Sequence, residues 1–259
     1  MMTNLLKNRV LIVLLLILPS LIYSQRLQMG TLSSFTAYTG TGAVSNAGQF
    51  TGDVGTDVGD ITGTYNGSKY NADATTDLAR IDLLRVYIHL SDIFVTHPST
   101  HSPAFGSGET ISLGVYYIGS AGAINGTLTL DGKGNPDAVF IMKFIGALTV
   151  DGGSRVILSN GTRACNVFWM AEGAISVKAE SIIKGTLFAH PGAITLGEDC
   201  SIEGRMLTSE GAISIADGCV SIKPAGPITI QYYCVSGCSP APMVDVFGSA
   251  ESFGLFTSV

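Results

Sequence analysis

The most regularly placed residues in this chain are small and uncharged. A five-residue phrase reads Gly146-Ala147-Leu148-Thr149-Val150, Gly173-Ala174-Ile175-Ser176-Val177, Gly192-Ala193-Ile194-Thr195-Leu196 and Gly211-Ala212-Ile213-Ser214-Ile215. On a strand, alternation turns the aliphatic residues inward. Ala147, Thr149, Ala174, Ser176, Ala193, Thr195, Ala212 and Ser214 then share one outer face. The two outward positions of a row would lie about 6.8 Å apart, and rows would repeat at about 4.8 Å. Thr127 and Thr129, in the looser copy Gly126-Thr127-Leu128-Thr129-Leu130, are expected to extend these columns. A lattice of methyl and hydroxyl groups at such spacing can order water into a regular layer, which a charged or mobile side chain would disturb.

Residue types suited to catalysis are sparse and scattered. The histidines are His89, His97, His101 and His190. His97 and His101 share a Pro-containing loop without a nearby cysteine or carboxylate cluster, so no metal site is expected. Asp131, Asp137 and Asp151 adjoin Gly or Pro and read as turn residues. A polysaccharide-cleaving solenoid needs paired carboxylates in a cleft. Glu198, Asp199, Glu203 and Arg205 are the only candidates, and they read as a solvated edge. No enzyme activity and no cofactor are expected.

The elements that must position the small residues follow from the spacing. Ala174, Ala193 and Ala212 are 19 residues apart, and Ala147 precedes Ala174 by 27, one repeat plus an 8-residue insertion. A period near 20 with short alternating strands predicts an all-β solenoid. A second strand per coil is expected over Lys184–Ala189 and Glu203–Thr208, with charged outward positions. Gly42-Ala43-Val44-Ser45 repeats the phrase, so the N-terminal segment should add rungs. Over about residues 74–94 the period becomes helical. Leu78, Ile81, Leu84, Arg85 and Ile88 lie at helical spacing, and Asp77 falls near the start. One amphipathic helix packed along the solenoid is expected there.

Charged residues make up 13% of the 259-residue chain, Gly numbers 32 and the net charge is −6. With no basic run, nucleic acid is not an expected partner. Residues 1–24 read as a signal peptide: Lys7 and Arg9, then the apolar stretch Val10 to Leu18, then small residues. Removing them leaves 12 basic and 20 acidic residues, a charge of −8, and no membrane span. A secreted or cell-surface protein is expected. Cys200 and Cys219 stand one period apart, which suits a disulfide between adjacent rungs. Cys234 and Cys238 form a second candidate pair, and Cys165 reads as a buried thiol. A solenoid domain over 25–224 is expected to lead into a Pro/Cys linker at 225–246. Residues 247–259 echo residues 30–39 and read as the start of a second copy.

Longer phrases carry a family resemblance. They are Leu130-Asp131-Gly132-Lys133-Gly134-Asn135-Pro136-Asp137-Ala138-Val139-Phe140-Ile141, Ala164-Cys165-Asn166-Val167-Phe168-Trp169, the strands at 185–187 and 204–207, and Thr51-Gly52-Asp53-Val54-Gly55. About residues 29 to 222 resemble the microbial ice-binding proteins built on a discontinuous right-handed β-helix with a long helix alongside. Lys143 departs from the family, where a neutral amide is more familiar. The resemblance implies a triangular solenoid whose first coils are separated from the rest by the helix. It also implies a flat face binding an ice crystal surface, with antifreeze or recrystallisation-inhibiting activity. The alternative on the same fold is a cell-surface adhesion or structural module, meeting a cell surface or other copies of the domain.

Overall fold

The computed structural model describes residues 27–98, 101–226 and 228. Expectations for residues 1–24, for Cys234 and Cys238, and for the second copy at 247–259 lie outside the described residues. So does most of the 225–246 linker.

Parallel strands form three sheets of nine, eight and seven strands, and each full coil contributes one strand to each sheet. The segment Phe140–Phe144 enters the first sheet, Leu148–Val150 the second and Arg155–Ser159 the third; the chain then returns to the first at Val167–Ala171. Inward residues of all three sheets meet in one core. Met142, Trp169, Leu187 and Met206 come from the first sheet, Leu148, Ile175, Ile194 and Ile213 from the second, and Leu128, Val156, Ile183 and Ile202 from the third. Each such aliphatic side chain withdrawn from water contributes about 1.5–3 kcal/mol.

The coil order is not the chain order. The N-terminal strand Phe35–Thr41 pairs with Met206–Thr208 of the last coil, so the first coils stack beyond the end of the repeat. The helix α1, Ala74–Asp92, carries the chain back to the opposite end. Its 19 residues rise about 28 Å, which matches six strand spacings of about 4.8 Å. Asp73 caps it by accepting from the backbone of Thr75 and Thr76, while the Thr76 hydroxyl accepts from the backbone of Asp73.

The buried stripe of α1 is Thr76, Ala79, Leu83, Val86 and Leu90, lying on the outer side of the first sheet, the helix-side sheet. Leu78, Leu84 and Ile88, part of the stripe the sequence made conspicuous, are 56%, 55% and 49% exposed. Both stripes have helical spacing, and contact with the sheet decides between them. At the far end of α1, the Lys143 ammonium donates to the carbonyls of Ser91 and Ile93 at 2.8 and 2.9 Å. A buried cation there satisfies terminal carbonyls and complements the helix dipole. Burial pulls its pKa down to about 8, against the raising influence of Asp92.

The stretches Lys184–Ala189 and Glu203–Thr208 are not single strands. Ile182–Lys184 belongs to the third sheet and Thr186–Ala189 to the helix-side sheet, with Gly185 at the corner. Gly185 has φ +110°, and an added Cβ would stand 2.7 Å from Val167. Arg205 therefore falls just before the strand Met206–Thr208 of the helix-side sheet and is buried, not on a solvated edge.

Candidate binding face

The second sheet holds the repeated phrase. In Ile175–Val177 and Ile213–Ile215 the flanking aliphatics are buried and the central serine is partly exposed; Thr195, between Ile194 and Leu196, is exposed. Register aligns Thr149 with Ser176, Ser176 with Thr195, and Thr195 with Ser214. The alanines stack beside them: the amides of Leu148, Ile175 and Ile194 donate to the carbonyls of Ala174, Ala193 and Ala212. At the corner before each alanine a glycine is required. Gly211 has φ +132°, and a Cβ on it would stand 2.6 Å from the Gly192 backbone. Side chains there would push the rungs apart.

The columns run further than the four perfect phrases. Ser45 continues the hydroxyl column beyond Ser214, and Thr62 follows Ser45. Ala43 accepts from Ile213, which extends the alanine column as well. At the other end Ala123 pairs with Thr149, and Ala104 with Ala123. Along the hydroxyl column from Thr62 to Ala104 every outward side chain is Thr, Ser or Ala.

Thr127 and Thr129 do not extend these columns. They lie in Thr127–Asp131 of the third sheet, where Thr127 pairs with Arg155 and Thr129 with Ile157. Gly126, with φ +69°, turns the chain round the corner before them. The matching rung is Gly122–Asn125, in which Gly122 pairs with Leu148, 26 residues later. There Gly122 takes the inward position because the Phe144 ring fills the space a side chain would need. The missed members are thus Ala43, Ala104, Ala123, Ser45 and Thr62. Gly42-Ala43-Val44-Ser45 carried a readable signal, whereas the rung at 122–125 lacked an inward aliphatic residue at its first position.

The other two faces differ chemically. The helix-side sheet is covered by α1, and its outward residues Phe188 and Leu207 are buried. The third sheet presents Arg155, Ile157, Lys184, Glu203 and Ile222, which are long and of mixed charge. Lys184 and Glu203 pair across adjacent strands at 2.9 Å.

The scattered polar residues serve local structure. Asp131 accepts from the Lys133 amide and from Asn160, both at 2.8 Å, and these bonds lower its pKa. Asp137 pairs with Arg163 at 2.8 Å and Asp151 with Lys178 at 2.6 Å. His101 stacks on Phe105 and meets Glu109 at 2.6 Å; His97 stacks on Tyr116. His190 meets the Ser209 hydroxyl at 2.7 Å. Among the described residues no group of three His, Cys, Asp or Glu side chains could hold a metal ion. Cys200 and Cys219 are joined as a disulfide, with Cα atoms 4.5 Å apart on adjacent rungs. Cys165 is buried, its thiol donating to Asn166 at 3.8 Å.

Known proteins are similar to this chain in sequence and in fold. The chain is 38% identical over 82 residues to ice-binding protein 1 of Shewanella frigidimarina, covering 31% of this chain and 9% of that protein. It is 28% identical over 168 residues to an ice-binding protein of Nostoc, covering 62% and 61%. It therefore spans less than two thirds of either. The fold is similar to a crystal structure of an ice-binding protein from an Antarctic Flavobacteriaceae bacterium, with TM-score 0.75 and 38% identity over 78% of this chain and 48% of that one. It is also similar to one from the Antarctic ascomycete Antarctomyces psychrotrophicus, with TM-score 0.72 and 27% identity over 78% and 100%. The profile of the ice-binding-like family matches residues 28–221. With three parallel sheets, the long helix and that match in hand, the chain belongs to the ice-binding-like family.

Proposed function

We propose that this protein binds ice through the outer face of the second sheet, with the ice crystal surface as its target. One observation carries the reading: paired columns of Ala and Ser/Thr continue without a charged or long side chain from the Ala43–Ser45 rung to the Ala147–Thr149 rung. Their strand pairing sets rows about 4.8 Å apart, and the hydrogen-bonded backbone fixes that spacing. Methyl groups disfavour bulk-like hydration, while hydroxyls anchor an ordered layer. Ala147, Thr149, Ala174, Ser176, Ala193, Thr195, Ala212 and Ser214 form the centre of the site.

Export fits the same reading. The basic and apolar pattern of residues 1–24 suits a signal peptide, and a structural disulfide persists in an oxidising compartment. Among the described residues no helix is long and apolar enough to cross a membrane.

The test is direct. Purified protein should concentrate in a slowly growing ice hemisphere and show thermal hysteresis. Exclusion from the ice together with absent hysteresis would overturn the reading and leave a surface-adhesion module on the same fold.

A further inference from the structure

A cleft of about 610 Å³ is lined by none of the column residues. Leu27 to Gly30 and Ser33 line it from one segment, and Lys223 to Gly226 with Ile228 from another. Arg205 lines it too and is only 4% exposed. Its Nη2 donates to the Ser33 carbonyl at a long 3.4 Å. Its Nε and Nη1 are buried and meet no hydrogen-bond acceptor among the described residues.

No described carboxylate pairs with this cation. Glu203, two residues earlier, is engaged by Lys184 at 2.9 Å, and Asp137 by Arg163 at 2.8 Å. The neighbouring Cys165 thiol has its pKa raised by burial, so it supplies no negative charge. Lys223 adds a second cation beside the cleft, its Nζ 3.4 Å from the Ser34 carbonyl. A guanidinium keeps its proton. Leaving it desolvated with unmet donors is unfavourable. The chemistry that removes this cost is a planar oxyanion, which accepts charge-assisted bonds from guanidinium N–H groups. The remaining walls include Leu27, Met29 and Ile228, which suit an alkyl group.

We propose that this cleft is a binding site for a small carboxylate with an apolar tail, its carboxylate held by Arg205. The site is separate from the proposed ice-binding face and uses none of its residues. One charge-assisted pair with a short buried tail warrants an affinity on the order of millimolar.

The test is calorimetric titration of the full chain with sodium hexanoate, with 1-hexanol and inorganic phosphate as comparison probes. Hexanoate should bind saturably and raise the melting temperature, because a ligand of the folded state stabilises it. Hexanol and phosphate should bind at least tenfold more weakly. Arg205→Met should remain folded, since exchanging a buried unpaired charge for an apolar chain is tolerated, and should lose hexanoate binding at least tenfold. Arg205→Lys should fall between. Thermal hysteresis should be the same with and without hexanoate, so failure of the ice reading and failure of this one are separately visible. Absent saturable binding at millimolar hexanoate, equal binding by Arg205→Met, or stronger binding of phosphate would overturn the proposal.

Discussion

The Ser45 hydroxyl lies 3.4 Å from the Ser214 hydroxyl, although 169 residues separate them in the chain. The contact marks the seam where the N-terminal coils join the end of the repeat. Across it the Ala and Ser/Thr columns run on unbroken, so the proposed face is longer than the repeat that announces it.

That seam makes Ser45 a test of the face. Ser45→Tyr should reduce thermal hysteresis several-fold, because a protruding ring holds a flat surface off a lattice. Thr129→Tyr, on the third sheet, should leave it nearly unchanged. Equal losses in the two variants would show that the columns do not define the binding surface.

Thr195 stands between Ser176 and Ser214 and is exposed. Thr195→Tyr should lower hysteresis more than Ser45→Tyr does, with stability altered by only about 0.5 kcal/mol. Ile157→Tyr, 46% exposed on the third sheet, is the matched control and should keep full activity. Circular dichroism melts alongside the hysteresis measurement separate loss of binding from loss of fold.

Peptide mapping of unreduced protein should recover Cys200 joined to Cys219. Replacing both with serine removes a cross-link spanning 19 residues. Chain-entropy arguments put the loss of stability at about 3 kcal/mol. Denaturant titration measures it; a loss well under 1 kcal/mol would mean that rung stacking alone holds these positions together.

Lys143 has its pKa pulled to about 8 in the folded protein, from a value near 10.4 for an unfolded chain. Between those values the unfolded state binds more protons, so stability should rise as pH goes from about 8 to about 10. It falls back as pH drops through 8, where the buried ammonium must be charged. The full effect is bounded at about 3 kcal/mol. Above pH 10 the sign reverses, because burial raises the pKa values of Tyr38 and Tyr65 and unfolding then releases protons. Lys143→Met should abolish the rise in a pH series of denaturation curves. A rise of equal size in that variant would assign it to another group.

The solenoid, its period and the inward and outward sides of the four repeated phrases were legible in the sequence because strand alternation and stacking are local, repeated rules. Ile175 and Val177 point inward for the same reason that Ile194 and Leu196 do. The Cys200–Cys219 link was legible for the same cause: one period in sequence is one rung in space. The presence of a helix at about residues 74–94 followed from its spacing, and its start at Ala74 from the change of period.

Tertiary structure decided the rest. Which stripe of α1 is buried depended on the sheet beneath it, since Leu84 and Leu83 belong to two stripes of comparable spacing. Thr127 and Thr129 match the phrase in residue type, but Gly126 turns the corner just before them, and a corner moves every later residue to another face. Gly122 breaks the phrase, yet its rung belongs to the face because the Phe144 ring from the neighbouring sheet takes the missing side chain's volume. Arg205 reads as a surface cation, and only the fold lays the two terminal segments beside it. Such placements come from contacts between residues far apart in the chain, to which no local spacing rule is sensitive.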